Sequence, residues 1–173
     1  MKAKLVLFAA LGLFFATAAV LGFSDNVAVG PFSVSFTINT TDQPDINLSE
    51  PEVTTEFTKY GFKLKTDAKR QNLINFLVYD YRNSTDTSEN KPMDLITNRV
   101  EGQSYKIEWD RMTVENLTAQ RAKIRSSGES SYVIAYSPDG KKNMGQVIVL
   151  VESFASPTVT DSFLENLQVI RSE

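Results

Sequence analysis

Apolar and polar residues alternate at every second position in several stretches of this chain, and that period of two is the signature of strands with one buried face. The period runs through residues 32–38 (FSVSFTI), 60–64 (YGFKL) and 105–109 (YKIEW). Residues 73–81 (LINFLVYDY) are almost continuously apolar, which is typical of a strand covered on both faces. The pattern therefore restricts the chain to a fold built mainly from sheet.

Two further strands are predicted at residues 131–136 and 146–154, with the segment SPDG at 137–140 between them. Proline presets the backbone for a turn and glycine accepts the positive φ that closes it, so we expect a hairpin here. Residues 40–52 are polar and acidic and contain two prolines, and we interpret them as a loop.

Two helices are predicted from the spacing of apolar residues. The first covers residues 92–101, where Pro92 suits a first helical turn and Ile96 and Val100 share a face. The second begins near Pro157, with Ser162 and Glu165 at the spacing of a capping box. Its apolar stripe consists of Val159, Phe163, Leu167 and Ile170.

Together these elements predict an α+β fold with one domain over residues 27–173. The expected architecture is a mostly antiparallel sheet of six or seven strands with two short helices packed on it. About 150 residues can bury close to 70% of their unfolded surface, so a domain of this size needs no disulfide bond to stay folded.

The N-terminal residues 1–23 predict export. Lys2 and Lys4 precede an unbroken apolar stretch at residues 5–15, and residues 16–18 (ATA) give the small-x-small pattern that signal peptidase requires. The alternative is an uncleaved membrane anchor, because apolar character continues to residue 23. Both interpretations place the remaining chain outside the cell, either secreted or on the extracellular face of the membrane.

The composition excludes several chemistries. With no Cys and no His among the 173 residues, the chain can form neither a disulfide, nor a thiolate or imidazole metal site, nor a Ser-His-Asp triad. Without Lys2 and Lys4 it has 16 basic and 21 acidic residues, a net charge of −5, which gives no bulk attraction for nucleic acid. We predict no cofactor, and contact with a membrane only through the N-terminal segment if that segment is not cleaved.

Four sequons occur, at Asn39, Asn47, Asn83 and Asn116. In an exported protein these are candidate N-glycosylation sites, and each lies in or beside a segment predicted to be a connection. Unmodified asparagines in polar turns are the alternative.

Two charged groups are candidates for chemistry. Glu108 and Asp110 share a strand face, as a paired acid and base would, although their alternation with apolar residues also fits the solvated side of a strand. The second group is a basic run that alternates with inward-facing aromatics, so its cations point to solvent, where an anionic surface polymer could dock. This run consists of Lys59, Lys63, Lys65, Lys69 and Arg70.

Residues 131–173, a hairpin followed by a helix that packs on a sheet, resemble the end of PsbP-like domains. That resemblance implies an antiparallel sheet flanked by helices and a role as an accessory or binding module. The leader, the VGPFSVSF segment at residues 29–36 and the sequons also make the whole chain similar to short exported proteins of methane-producing archaea.

The leading functional hypothesis is a non-enzymatic secreted or cell-surface domain that binds a protein or an anionic surface polymer. The alternative is a carrier of a small ligand, with an aromatic pocket between sheet and helix lined by Phe76, Trp109 and Tyr132. The third is a hydrolase that uses only carboxylates.

Overall fold

The strands of this protein form two antiparallel sheets in the computed structural model, which describes residues 21–40, 43–66, 73–81, 91–102, 105–126, 129–140 and 146–172. The elements in chain order are β1 (Leu21–Val29), β2 (Phe32–Thr40), β3 (Asp45–Leu48), β4 (Glu52–Val53), β5 (Thr58–Lys65), β6 (Leu73–Asp80), α1 (Lys91–Val100), β7 (Lys106–Val114), β8 (Leu117–Ser126), β9 (Glu129–Tyr136), β10 (Val147–Ser153), α2 (Pro157–Glu165) and β11 (Gln168–Arg171).

The large sheet has the order β3-β5-β6-β10-β9-β8-β7, with β4 also paired to β5. Its central strand β10 is apolar at every position from Val147 to Val151 because both of its faces are covered. Val149 faces one hydrophobic core and its neighbours Ile148 and Leu150 face another. The predicted hairpin of β9 and β10 is confirmed, and the Gly140 N–H donates to the Ser137 carbonyl across its turn.

The first core lies between the large sheet and a three-stranded sheet of order β1-β2-β11, accompanied by α2. Phe36 on β2 stacks on Phe62 of β5, with ring centroids 5.7 Å apart. Phe163 of α2 approaches the same Phe36 ring at 5.1 Å. These rings fasten the small sheet and the helix to one face of the large sheet.

The second core lies under α1 on the opposite face of the large sheet. Ile96 and Val100 are buried there against Ala122, Ile148 and Leu150. The helix begins one residue before the predicted position and ends one residue before the predicted end. The molecule therefore has three layers, with the large sheet in the middle, and the α+β antiparallel class is confirmed.

The prediction for the C-terminal helix is wrong in two respects. The helix ends at Glu165, and residues 168–171 form β11, which pairs with β2 through contacts such as Val169 with Val34. Leu167 and Ile170 therefore do not continue the helical stripe. The cap is Ser156, whose hydroxyl accepts from the Val159 N–H, so the proposed capping box at Ser162 and Glu165 does not form.

Two other sequence predictions need correction. Residues 40–52 contain the short strands β3 and β4, which extend the edge of the large sheet along β5. The folded domain also includes residues 21–26, which precede the predicted start at residue 27, because β1 pairs with β2 over its whole length. In the part of the chain that the structure describes, no helix is long and apolar enough to cross a membrane.

Candidate functional site

A charged cleft of about 280 Å³ lies on the α1 side of the large sheet, beside the last turn of α1. Its basic lining residues are Lys59, Lys63 and Arg99, and its acidic ones are Glu50, Glu52 and Glu152. Asn75 and Leu77 of β6 also line it. We refer to this site as the charged cleft.

The floor of the charged cleft is a polar row across three neighbouring strands. Lys63 on β5 is the register partner of Asn75 on β6, and Asn75 is in turn the partner of Glu152 on β10. Cross-strand partners point to the same face of a sheet, so the three side chains lie side by side. Elsewhere β6 and β10 are almost entirely apolar, which makes this row a local interruption of the buried sheet.

The helix α1 fixes one end of this polar row through Glu152. Arg99 in the last helical turn places its Nε 2.9 Å from Oε1 of Glu152, and Asn75 donates from Nδ2 to Oε2 of the same carboxylate at 3.1 Å. Arg99 also hydrogen-bonds Tyr79, where burial raises the pKa of the hydroxyl and the Arg99 charge opposes that rise. Glu152, with only 15% of its side chain exposed, is thus fixed on both oxygens.

Gly61 lets the cleft residue Leu77 pack closely against β5. It lies between Lys59 and Lys63 on β5 and is paired with Leu77. A Cβ at this position would overlap the carbonyl oxygen of Phe76 and lie 2.7 Å from Cδ2 of Leu77. Only glycine fits there, because the Phe76 carbonyl and the Leu77 side chain occupy the space that a Cβ would need.

Two polar groups of the cleft have unused bonding capacity. Lys59 forms an ion pair with Glu52, whereas Lys63 has no ion pair with any residue that the structure describes. The Oδ1 atom of Asn75 is buried and has no hydrogen-bond partner among the described residues. Such an acceptor costs free energy unless something donates to it. The cleft therefore contains an ammonium group that forms no ion pair with the described residues and, on the cross-strand partner of that lysine, a buried amide oxygen without a donor.

The structure does not bring the three residues of the predicted aromatic pocket together. Phe76 and Tyr132 are buried in the first core, between the two sheets. Trp109 is 44% exposed, and its register partner Ala122 belongs to the second core on the opposite face. The pocket prediction is wrong because the alternation of β6 and β9 sends Phe76 and Tyr132 away from α1.

The paired carboxylates Glu108 and Asp110 lie on one face of β7, as predicted. Lys106 and Arg125 hold the pKa of the Glu108 carboxyl below its usual value, and Arg121, which binds Asp110 through Nε at 2.8 Å, does the same for the pKa of Asp110. Both groups are therefore ionised, so the pair contains a base but no proton donor.

Three of the four sequon asparagines lie in the described part of the chain, and all three are exposed. Asn39 is in β2, Asn47 is in β3, and Asn116 is in the turn between β7 and β8 with φ of 63°. Asn39 and Asn47 are thus in strands rather than in connections. Asn83 falls outside the described residues, as do Lys69 and Arg70 of the basic run.

The sequence predicted the two lysines of the cleft, Lys59 and Lys63, but not the polar residues of its floor, Asn75 and Glu152. Asn75 and Glu152 each interrupt an otherwise apolar strand, and that interruption in two buried strands was the available signal. Arg99 could not be assigned, because only the packing of α1 brings it over Glu152.

No protein-family model matches the chain, and searches of the curated proteins and of the solved structures found no similar protein.

Proposed function

We propose that this chain is a non-enzymatic extracellular domain, secreted or held at the cell surface, that binds an acidic surface polymer in the charged cleft. The observation that carries the proposal is the free ammonium group of Lys63 beside the unpartnered Oδ1 of Asn75. A carboxylate of the polymer would pair with Lys63. The side chains that bury Oδ1 of Asn75 would have to move on binding so that a hydroxyl group of the polymer can donate to it. Polysaccharides with acidic sugar units carry both groups.

The size of the charged cleft also favours a polymer. Its volume of about 280 Å³ is at the lower limit of the pockets that enclose a small molecule, and it is open to solvent. It can hold one unit of a chain whose other units continue outside it. The ion pair of Arg99 and Glu152 would orient that unit and would stay intact when the unit binds.

The extracellular location rests on the N-terminal segment. Since Leu21 already belongs to β1, the apolar stretch that precedes β1 in the sequence covers residues 5–20. These 16 residues would span about 24 Å as a helix. That is shorter than the roughly 20 residues a spanning helix needs. A cleaved signal peptide is therefore the interpretation we favour, and the exposure of Asn39, Asn47 and Asn116 is compatible with glycans.

The direct test is binding of the full-length protein to three polymers, measured by calorimetry. Polygalacturonate carries carboxylates and hydroxyls, dextran only hydroxyls, and polyglutamate only carboxylates. We expect polygalacturonate to bind best and Lys63→Gln to weaken that binding about tenfold. Lys65→Gln is the matched control, since Lys65 is on the same strand face but outside the cleft. Equal losses in both variants, or no binding, would refute the proposal.

The same calorimetric titration also tests a second candidate function, that of a small-ligand carrier. The cleft volume also admits one small acid, as the carrier hypothesis requires. If free galacturonic acid binds as tightly as its polymer, with the same loss in Lys63→Gln, the protein is a small-ligand carrier.

A further inference from the structure

The candidate sequon at residues 47–49 borders the charged cleft. Asn47 on β3 is the register partner of Lys63 on β5, and Lys63 lines the cleft. Cross-strand partners share a face of the sheet, with Cβ atoms about 5 Å apart. The Asn47 side chain therefore lies beside Lys63, at the edge of the large sheet and on the same side as α1.

All three residues of this sequon are open to solvent. Asn47 and Ser49 are exposed, and Leu48 between them is 64% exposed. Ser49, the hydroxyl residue of the sequon, is itself one of the residues that line the cleft. A glycosylating enzyme recognises the asparagine and the hydroxyl residue together, and both groups are accessible here. A glycan attached to Asn47 would therefore begin at the border of the cleft.

The Asn47 amide is oriented by a neighbour and can still be modified. Its Nδ2 donates to Oδ2 of Asp45 at 2.9 Å, and an amide nitrogen has two hydrogens. In N-glycosylation, Nδ2 loses one proton and bonds to C1 of a sugar, while the bond from C1 to the phosphate of a lipid-linked oligosaccharide breaks and the lipid phosphate leaves. The second hydrogen stays on Nδ2 and can keep the bond to Asp45. That bond would hold the linkage beside Lys63.

We propose that Asn47 is an N-glycosylation site whose glycan closes the charged cleft, so that the glycosylated chain no longer binds the acidic polymer. The identity of the excluded ligand rests on the proposed function, whereas the closure of the cleft does not. An N-linked glycan is bulky, and its attachment next to Lys63 keeps its sugar units at an effective concentration of about 1 mM or more at the cleft. Modification of this one residue would therefore switch polymer binding off.

The other two sequons in the described part of the chain lie too far away to close the cleft. Asn39 is on β2, in the small sheet that packs on the face of the large sheet opposite α1. Asn116 is in the turn after β7, and β7 is six strand spacings from β3, or about 29 Å. Glycans at these positions would leave the cleft open, which makes them internal controls.

The test compares the full-length chain from a eukaryotic secretory host with the same chain from a bacterial host that does not glycosylate it. Peptide mass spectrometry should find a glycan on Asn47, and calorimetry should show that the glycosylated chain binds polygalacturonate at least about tenfold more weakly. Asn47→Gln from the secretory host should bind like the unmodified chain. Thr118→Ala, the matched control, removes the Asn116 sequon at an exposed position and should not restore binding.

Acetylation of Lys63 measures closure of the cleft without any polymer. Both forms of the chain are treated with an amine-acetylating reagent, and the rate at Lys63 is divided by the rate at Lys106, which is 75% exposed and lies on β7. We expect the glycan on Asn47 to slow acetylation of Lys63 several-fold and to leave Lys106 unchanged. Asn47→Gln should remove this protection, and Thr118→Ala should keep it.

The two measurements separate this inference from the proposed function. If the unmodified chain does not bind polygalacturonate while the glycan still protects Lys63, the proposed ligand is wrong and the closure of the cleft stands. The inference itself is overturned if Asn47 stays unmodified in the secreted chain, or if its glycan fails to protect Lys63 or to weaken polymer binding by the unmodified form. It is also overturned if Thr118→Ala restores binding as well as Asn47→Gln does.

Discussion

Arg171 on β11 binds Asp80 on β6 and thereby connects the small sheet to the large one, with Nη2 3.0 Å from Oδ2. The carboxylate is almost fully buried, with 5% of its side chain exposed, and the guanidinium also lies over the Phe32 ring at 4.6 Å. The two residues are 91 positions apart in the chain. Their contact is therefore a long-range constraint on how the sheets stack.

Replacing Arg171 with Met should lower the free energy of unfolding by about 2 kcal/mol, because Asp80 stays buried without its guanidinium partner. Urea unfolding followed by circular dichroism measures the change. Ile170→Ala is the control, since its side chain is exposed and should alter stability by less than about 0.5 kcal/mol. A loss no larger than that of the control would show that the ion pair does not stabilise the stacking of the sheets.

Gly30, in the turn between β1 and β2, packs directly against the ring of Tyr60 on β5. Its φ is +60°, and a Cβ there would overlap that ring. Gly102 has a similar φ of +76°, but a Cβ at that position would meet no atom within 4 Å. We expect Gly102→Ala to cost about 1 kcal/mol of stability through its backbone alone, and Gly30→Ala about 3 kcal/mol because the clash adds to it.

The urea midpoints of these two variants give the comparison directly. Adding Tyr60→Ala removes the ring, so the extra cost of Gly30→Ala should shrink in that background. If both glycine variants lose the same free energy of unfolding, the contact between the turn and β5 does not contribute to stability.

Glu115, in the turn between β7 and β8, accepts a hydrogen bond from the Val169 N–H of β11 at 2.5 Å. Burial raises the pKa of its carboxyl, with the Val169 donor opposing the rise. A raised pKa in the folded state means that the native protein binds more protons than the unfolded chain. The stability from this group is therefore complete below the ordinary glutamic pKa of about 4.3 and is lost as pH rises through the raised value.

Glu115→Gln keeps the acceptor for Val169 and removes the charge. Its stability should equal that of the unchanged protein in acid and exceed it increasingly toward neutral pH, as measured by urea unfolding at a series of pH values. Tyr136, whose hydroxyl is close to Glu115, does not interfere, because burial raises the pKa of that phenol well above its usual value. The opposite trend would mean that the ionised carboxylate stabilises the fold.

The N-terminal strand β1 predicts where the proposed signal peptide would be cleaved. Cleavage after Ala18 would leave β1 whole, whereas cleavage after Gly22 would remove the partners of Asn39 and Thr40. We expect the exported protein to begin at Ala19, and Ala18→Phe to prevent processing because the peptidase pocket admits only small side chains. The intact mass of protein taken from the medium decides this, and a mass for a chain that starts beyond residue 22 would contradict it.

The local periods of the sequence predict most of the elements and little of their arrangement. The predicted hairpin and α1 depend on neighbouring residues, and both are confirmed. Leu167 and Ile170 fit a helical stripe, but β2 offers a free edge more than a hundred residues earlier, and pairing with it turns this segment into β11. The division into two sheets is likewise a consequence of contacts between distant residues.

The prediction of functional sites has the same limit, because contacts between distant residues decide which side chains meet. Trp109 has the alternation of a buried residue, yet β7 is the outermost strand and nothing in the described structure covers its ring fully. Asn75 and Glu152 were visible as polar interruptions, but only the strand register shows that they are neighbours. Periodicity identifies which side of a strand is apolar, while the position of the strand in the sheet decides whether that side is buried.

Asn75 allows binding to be separated from stability. Leu has the same number of side-chain heavy atoms, branched at the same carbon, and removes the buried Oδ1 that lacks a partner, at the cost of the 3.1 Å bond to Glu152, which Arg99 still holds. We expect Asn75→Leu to unfold with a free energy unchanged or higher by about 1 kcal/mol, while its affinity for polygalacturonate falls about tenfold. Paired urea and calorimetric titrations measure both quantities on the same preparation. A variant that loses stability but keeps its affinity would assign Asn75 to the fold and remove it from the binding site.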